Sequence, residues 1–259
     1  MIDLSVHQLA LNFGGVRAVD GVTFSLHEGE IHGLIGPNGA GKTTTFNCVT
    51  GFYRPTGGTI RFREREITHL RPDQIARLGI ARTFQNVQLF RSMSALDNIL
   101  VAKHSQMRTG ILAEALALRL VRRQERMARG EAEELMEFLG LMGIQRQTAG
   151  NLPLGSQKRL ELGRALALEP KLLLLDEPAS GLNTSETQVL AQLLLKIRDR
   201  FKLTVLLVEH DMGLMMNISD TITVLNFGRK IAEGTPRDVQ NDPEVVKAYL
   251  GENSGAERR

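Results

Sequence analysis

The sequence predicts an α/β protein that has a small N-terminal antiparallel β subdomain and an inserted α-helical subdomain. Three observations predict this fold. The first third of the chain alternates short β-like segments with one helix, residues 94–141 have helical patterning rich in Leu, Ala, Glu and Arg without proline, and the last third returns to alternating strands and helices. We therefore expect a single domain over residues 1–250, with the helical insertion at about residues 90–165 and a polar C-terminal tail at 251–259.

The predicted strands are short apolar runs bounded by turn residues. They lie at residues 2–9, 21–26, 30–35, 59–63, 171–176, 204–209, 221–226 and 230–233. Helices are predicted at residues 43–50, which Gly51 can end, and at residues 185–200. In the middle region, apolar residues recur at helical spacing at Ile111, Leu112, Ala115, Leu116, Leu118 and Leu120.

Composition excludes several classes of protein. The chain is 42% hydrophobic and 24% charged, which is typical of a globular domain, and no apolar run reaches the roughly 18 residues of a membrane span. No signal peptide is visible, and the single cysteine, Cys48, excludes an intramolecular disulfide and is consistent with a reducing cytoplasm. The formal charge is only +3, although residues 119–129 are locally basic, and aromatic residues are few, so we expect no nucleic-acid partner.

A glycine-rich loop between a predicted strand and a predicted helix matches the pattern G-x-x-x-x-G-K-[ST]. Its glycines let backbone N–H groups point at phosphate oxygens, and the dipole of the following helix favours the same anion. Lys42 is expected to reach the β- and γ-phosphates, and the hydroxyl of Thr43 to bind Mg²⁺. The sequence therefore predicts a P-loop NTPase core. Its nucleotide-binding residues are Gly36, Pro37, Asn38, Gly39, Ala40, Gly41, Lys42, Thr43 and Thr44.

An acidic pair follows the apolar run Leu172–Leu175. Such a pair, taken alone, is typical of an ordinary strand end. In a chain with a P-loop, Asp176 is expected to help hold Mg²⁺, and Glu177 to accept a proton from the attacking water as general base.

Three single residues are weaker candidates, since each has an ordinary structural interpretation. His210 follows a buried strand, from which it could reach the γ-phosphate. Gln85 lies between the α/β core and the helical insertion, where it could sense Mg²⁺ and the attacking water. Phe13 lies upstream of the P-loop and is either a core aromatic or a surface for adenine stacking.

The order of these motifs resembles the ATP-binding cassette (ABC) family over nearly the whole chain. Residues 36–44 resemble its Walker A motif, Gln85 its Q-loop, and residues 172–177 its Walker B motif with the catalytic glutamate. Residues 180–183 are similar to the D-loop, His210 to the switch histidine, and Phe13 to the A-loop aromatic. The resemblance implies an ABC ATPase that uses ATP and Mg²⁺. Its implied catalytic residues are Lys42, Gln85, Glu177 and His210, and its implied metal ligands are Thr43, Gln85 and Asp176.

A narrower resemblance is to the ATPases of importers for branched-chain amino acids, in residues 33–44, 50–58, 81–86, 176–183 and 241–251. The chain is similar to the ATPase that has the longer helical insertion. The resemblance implies a paralogous ATPase as partner in a heterodimer, or a second copy in a homodimer. It also implies two integral membrane permeases, a periplasmic or surface solute-binding protein, and a peripheral position at the cytoplasmic face of the inner membrane. That subfamily also serves amides, urea and other small solutes.

The segment LPLGSQ, residues 152–157, occupies the place of the family's signature loop, Leu-Ser-Gly-Gly-Gln, which binds the partner's ATP. Its residues implied in that contact are Leu152, Pro153, Gly155, Ser156 and Gln157. Proline replaces the serine, and proline offers neither a hydroxyl nor an N–H group. We expect the N–H groups of Gly155, Ser156 and Gln157 and the Ser156 hydroxyl to bind phosphate more weakly than a full motif, so that the two sites of the dimer are unequal.

Residues 86–98, here called the docking segment, contain the apolar residues Val87, Leu89, Phe90 and Met93. The resemblance implies that this segment binds the permease, and the alternative is ordinary packing onto the helical insertion. Three other functions stay open: an ATPase for lipid or lipopolysaccharide export, a soluble ABC ATPase acting on ribosomes or DNA, and a nucleotide-binding regulator without turnover. The intact Lys42, Asp176, Glu177 and His210 argue against the last of these.

Overall fold

The computed structural model describes residues 1–104 and 118–253, with side chains described to 104 and from 123 to 249. The chain forms two compact units, residues 1–82 with those from 171 onward, and residues 83–170. The predicted apolar spacing at Ile111, Leu112, Ala115 and Leu116, the side chains of Leu118 and Leu120, part of the basic stretch, and the tail beyond residue 253 lie outside this description.

Two sheets form the first unit. Its strands are β1 (Ile2–Phe13), β2 (Val16–His27), β3 (Ile31–Ile35), β4 (Gly57–Phe62), β5 (Arg65–Glu66), β6 (Ile80–Arg82), β7 (Leu172–Asp176), β8 (Thr204–Val208), β9 (Thr221–Asn226) and β10 (Arg229–Gly234). The first sheet is antiparallel in the order β2-β1-β4-β5, and the second has the order β10-β9-β3-β8-β7-β6. The second sheet is parallel from β9 to β6. The predicted α/β fold with an N-terminal antiparallel sheet is confirmed.

The helices are α1 (Lys42–Val49), α2 (Pro72–Arg77), α3 (Ala95–His104), α4 (Leu118–Phe138), α5 (Leu154–Leu166), α6 (Thr184–Phe201), α7 (Met212–Ile218), α8 (Pro236–Asn241) and α9 (Pro243–Asn253). Of these, α3, α4 and α5 belong to the second unit. A side chain of Asn183 caps α6 and accepts a hydrogen bond from the N–H of Glu186, whose carboxylate accepts one in return. The sequence did not predict β6, α2, α7, α8 or α9.

The central parallel strands are buried on both faces, which explains their continuous apolar sequences. The strand register aligns Leu34 of β3 with Val208 of β8, and Val208 with Asp176 of β7. The segments that follow these three strands therefore leave the sheet at the same edge. This edge carries the P-loop, the pair Asp176–Glu177 and His210, which are far apart in sequence.

In the second unit, α3 packs against α4 and α5. Ile99, Met136, Leu139 and Leu160 are buried at these contacts. A Cβ atom at Gly163 of α5 would lie only 2.7 Å from Leu139 Cδ1, so this glycine allows the close approach of the helices. The docking segment and the signature loop both belong to this second unit.

Candidate functional site

The P-loop is held in a curve that only glycine permits at two positions. Gly36 has a φ of 151° and Gly41 a φ of 97°. A Cβ atom would lie 2.1 Å from the Leu225 carbonyl oxygen at Gly36 and 2.6 Å from the Ala18 carbonyl oxygen at Gly41. The N–H of Gly228 also donates to the carbonyl of Ala40 at 3.0 Å. Contacts with β9, with β2 and with Gly228 thus fix the course of the loop.

The Lys42 side chain lies within that curve. Its Nζ donates to the carbonyl oxygens of Gly36 at 2.5 Å and Pro37 at 3.0 Å, and only 8% of the residue is exposed. The ammonium group and the N-terminal end of α1 therefore face the same space. A phosphate placed there would be met by a cation and by backbone N–H donors.

Asp176 ends β7 and is 5% exposed. Burial raises the pKa of its carboxyl above the ordinary value. The guanidinium of Arg82 opposes that shift, the carboxylates of Glu177 and Glu209 add to it, and the ammonium of Lys42 opposes it. Asp176 thus lies among two cations and two further carboxylates.

Glu177 and His210 are brought together across neighbouring strands. The Nδ1 atom of His210 lies 3.7 Å from Glu177 Oε2, and the imidazole is 62% exposed, whereas the Glu177 side chain is 19% exposed. Glu177 has a φ of 48°, yet its N–H donates to the Val208 carbonyl at 2.8 Å and continues the β-ladder. A strained backbone held in this way fixes the direction of a side chain, which suits a catalytic base.

Glu209 is a site residue that sequence reasoning missed. It is fully buried, and its carboxylate accepts hydrogen bonds from the N–H groups of Ala179 at 2.7 Å, His210 at 3.1 Å and Asp211 at 3.5 Å. Burial raises the pKa of this carboxyl, and the three N–H donors oppose the shift. Glu209 thereby ties the residues after Glu177 to those beside His210. The sequence signal that could have identified Glu209 is an acidic residue directly after a buried strand.

The oxygen ligands at this edge suit Mg²⁺, a hard cation that prefers oxygen and keeps several waters. Thr43 is exposed in the first turn of α1, and Asp176 lies at the end of β7. Among the described residues, no group of three or more His, Cys, Asp or Glu side chains could hold a metal ion alone. Thr43 and Asp176 are the two residues of this edge that the family resemblance implies as Mg²⁺ ligands.

Phe13 is 47% exposed at the end of β1, so it is not the core aromatic of the alternative interpretation. Its ring meets that of Tyr53 edge-on, with centroids 5.3 Å apart. Tyr53 was missed in the sequence, and its N–H donates to the Asn47 carbonyl of α1 at 3.1 Å. The pair offers an aromatic surface beside the P-loop helix.

Arg82 was also missed. Its guanidinium carbon lies 5.0 Å from the centre of the Phe46 ring and 4.7 Å from the centre of the Phe52 ring. It donates to Asn47 Oδ1 at 3.2 Å and Thr50 Oγ1 at 3.0 Å. Arg82 therefore joins β6 to the carboxyl-terminal end of α1 and supplies positive charge near Asp176.

Gln85 and the signature loop belong to the second unit. Gln85 is exposed and follows Arg82, the end of β6, by three residues. Leu152 is buried, and its carbonyl accepts a hydrogen bond from Gln157 Nε2 at 2.7 Å. Gly155, Ser156 and Gln157 lie in the first turns of α5, for which Pro153 is the N-cap residue.

The structure gives other partners to groups of the signature loop that we expected to bind phosphate. The N–H groups of Ser156 and Gln157 donate to the Pro153 carbonyl at 2.9 Å and 3.0 Å, and Ser156 Oγ accepts from Arg159 Nη2 at 3.3 Å. The reason is that α5 begins at Leu154, so the third and fourth amides are already used inside the helix. The helix N-terminal N–H groups left to a phosphate are those of Leu154 and Gly155.

Among the described residues, none of the helices combines the length and the apolar composition that a membrane span requires.

Family models match at two places: one for ABC transporters at residues 19–180, and one for branched-chain amino acid ATP-binding cassette transporters at residues 229–254.

Two curated relatives are each 49% identical over 249 residues, with 96% of this chain and 98% of the relative covered. They are the high-affinity branched-chain amino acid transport ATP-binding proteins LivG of Escherichia coli (strain K12) and BraF of Pseudomonas aeruginosa. Among solved structures, the ADP conformation of MJ1267, an ATP-binding cassette of an ABC transporter, is 32% identical with a TM-score of 0.84, covering 97% of this chain and 99% of that one. The chain therefore belongs to the ABC transporter family, as one of its ATP-binding proteins.

Proposed function

We propose that this ATP-binding protein hydrolyses ATP to power the import of branched-chain amino acids. The observation that carries the proposal is the convergence of Lys42, Asp176, Glu177 and His210 at one edge of the parallel sheet. The names of the relatives and the match at residues 229–254 support branched-chain amino acids as the solute.

Each residue at this edge has a role that its environment supports. Lys42 binds the β- and γ-phosphates, and Mg²⁺ held by Thr43 and Asp176 would neutralise phosphate charge. Glu177 takes a proton from the attacking water, and His210, 3.7 Å from Glu177, binds the γ-phosphate and orients that carboxylate. Phe13 stacks on adenine, with Tyr53 supporting its ring.

The signature loop acts on a second cassette. Two cassettes pair head to tail, and the helix end at Leu154 and Gly155 faces the phosphate of the partner's ATP. The partner is a paralogous ATPase in a heterodimer, or a second copy of this chain. ATP closes the dimer because its γ-phosphate contacts both cassettes, and loss of phosphate opens it again. Gln85, by its resemblance to the Q-loop, would contact Mg²⁺ and the attacking water.

The docking segment transmits this motion to two integral membrane permeases, which receive solute from a binding protein. Its apolar side chains are incompletely covered: Phe90 is 45% exposed, and Val87, Leu89 and Met93 are partly exposed. An apolar surface of this kind favours protein contact. The chain would then lie peripherally at the cytoplasmic face of the membrane.

The test is uptake by vesicles that contain the permeases, both ATPases and the binding protein. We expect ATP-dependent uptake of labelled leucine, isoleucine and valine, and no uptake when Glu177→Gln replaces the wild-type chain. Urea and short amides are the competing solutes. Uptake of these without uptake of leucine would overturn the solute assignment, and ATP hydrolysis without any coupled uptake would overturn the import role.

A further inference from the structure

A carboxylate of the signature helix holds the backbone on both sides of Gln85. Glu161 Oε1, on α5, accepts hydrogen bonds from the N–H of Phe84 at 3.4 Å and from the N–H of Gln88 at 3.2 Å. These two amides lie on either side of Gln85, and Gln88 belongs to the docking segment. One side-chain oxygen thus sets the local course of the chain at the residue that resembles the Q-loop glutamine.

Two further side chains, those of Arg164 and Asn98, contact the docking segment at Gln88 and Phe90. Nη1 of Arg164, one turn after Glu161 on α5, donates to the Gln88 carbonyl, and its guanidinium lies 4.8 Å from the centre of the Phe90 ring. Asn98 of α3 is fully buried, accepts from the Phe90 N–H at 2.9 Å and donates to the Phe90 carbonyl at 3.1 Å. The backbone of the docking segment is therefore fixed at Gln88 and Phe90, while the Phe90 ring stays exposed.

Glu161 holds these amides from a position that is unfavourable for a charge. The residue is 8% exposed, and burial raises the pKa of its carboxyl. The N–H groups of Gln88 and Phe84 and the charges of Lys158 and Arg164 oppose this shift. An apolar residue of similar volume would avoid desolvating a carboxylate, but it would leave the Phe84 and Gln88 amides without this acceptor.

Glu161 and Arg164 share α5 with the signature loop. Gly155 lies in the first turn of this 13-residue helix, and Glu161 lies fewer than two turns later. A rigid element with a ligand contact at one end and a backbone attachment further along carries displacement from one to the other. The partner's ATP would act at the first turn of α5, and Gln85 and the docking segment lie at the attachment.

We propose that Glu161 is a positioning residue that, with Arg164, couples the signature loop to Gln85 and to the permease-docking segment. This inference rests on the proposed function, since the role of the docking segment is part of it. When α5 shifts on closure around the partner's nucleotide, the Phe84 and Gln88 amides follow Glu161, and the exposed Phe90 follows Arg164. The permease thereby reads the state of the partner's site.

Three variants of the complex, assembled in vesicles, test the contributions of the hydrogen-bond acceptor and of the charge at Glu161, with one variant as control. Glu161→Leu removes the acceptor, Glu161→Gln keeps an Oε1 acceptor without the charge, and Glu134→Leu changes an exposed glutamate of α4. We expect Glu161→Leu to lower the amount of leucine imported per ATP hydrolysed by about tenfold. Glu161→Gln should lower it by less, and Glu134→Leu should leave it unchanged.

Hydrogen exchange of the backbone amides supplies a readout independent of transport. In Glu161→Leu, the Phe84 and Gln88 amides should exchange faster, while those of α3 keep their protection. Arg164→Lys keeps the charge but loses the planar guanidinium, and it tests the same coupling if Glu161→Leu does not fold. We expect it also to lower import per ATP.

The outcomes distinguish this inference from the function on which it rests. Failure of wild-type vesicles to import branched-chain amino acids would overturn the proposed function. Wild-type import with an unchanged ratio of import to hydrolysis in Glu161→Leu would overturn the inference alone. If Glu161→Leu does not fold, the same unchanged ratio in Arg164→Lys would overturn it.

Discussion

The P-loop edge of the first unit and the signature loop of the second unit would both contact ATP, but they differ in the groups that they offer to it. The P-loop edge has the four polar side chains to which we assign phosphate binding, Mg²⁺ binding and proton transfer, Lys42, Asp176, Glu177 and His210. The signature loop has Pro153 and a 41% exposed Leu154 where the resemblance implies Ser and Gly. One region works through side chains, and the other is left with the N-terminal end of a helix.

The difference indicates which region tolerates change. A general base and an ammonium group have no substitute in the backbone, so their loss would end the chemistry. A phosphate contact made by N–H groups and a helix dipole depends mainly on where the helix begins. Because α5 begins at Leu154 with Pro153 as its N-cap, proline is compatible with the helix while a hydroxyl is lost.

Among these variants, Glu177→Gln should have the largest effect on ATP turnover at the P-loop edge. Glutamine keeps the size of the side chain but cannot accept the proton, so turnover should fall by about 10²- to 10⁴-fold while ATP still binds. Phosphate release and binding of a fluorescent ATP analogue measure the two quantities. Glu64→Gln, at an exposed position, is the control. Turnover near that of the wild type would show that Glu177 is not the base.

Phe13→Ala should weaken ATP binding, because the exposed ring is lost from the adenine surface. Stacking of a base on an aromatic ring contributes about 1–3 kcal/mol, and titration with ATP measures the change in affinity. Tyr53→Ala should have a smaller effect if it only supports Phe13 through the edge-on contact. A larger loss in Tyr53→Ala than in Phe13→Ala would reverse the two assignments.

Much of the P-loop edge could be predicted from the sequence because its signals are local. A glycine pattern and a run of leucines before two acids each describe a short segment. Arg82, Glu209 and Tyr53 escaped prediction because their roles come from contacts with residues distant in the chain or on neighbouring elements. The short helices α2, α7 and α8 gave too little periodicity to be predicted.

The signature loop shows the same limit. Its place before the Walker B strand was visible, but the availability of its amides depended on the first residue of α5. Helix boundaries are the least reliable part of such predictions, and a shift of one or two residues decides which N–H groups remain for a ligand. The Ser156 and Gln157 amides therefore have a partner in the Pro153 carbonyl that the sequence did not predict, and their contact with phosphate, like the role of the loop, stays a prediction.

Pro153→Ser should strengthen the weaker region by restoring a hydroxyl and an N–H group. We expect a moderate rise, on the order of a few-fold, in the ATP affinity and ATPase rate of the complex, since a neutral hydrogen bond contributes only about 0.5–1.5 kcal/mol. Val189→Thr, exposed on α6, serves as a control for a surface substitution. Unchanged rate and affinity would show that Pro153 does not limit the contact.

Glu161→Gln should change the dependence of stability on pH, which is the smallest of these effects. Burial raises the pKa of Glu161 in the folded state, so the folded protein keeps a proton that the unfolded chain has released. The free energy of unfolding of the wild type, relative to Glu161→Gln, should therefore fall as pH rises above the ordinary glutamate pKa of about 4.3. Denaturant titrations across that range measure it, and parallel curves would contradict it.

The central claim is that ATP joins the P-loop edge of one cassette to the signature loop of another. Sedimentation of Glu177→Gln, alone and mixed with the paralogous ATPase, tests it most directly. In at least one of the two samples, MgATP should convert single cassettes into a species of two cassettes, and Lys42→Ala should prevent the conversion. Cassettes that bind MgATP to saturation and remain single in both samples would contradict the claim.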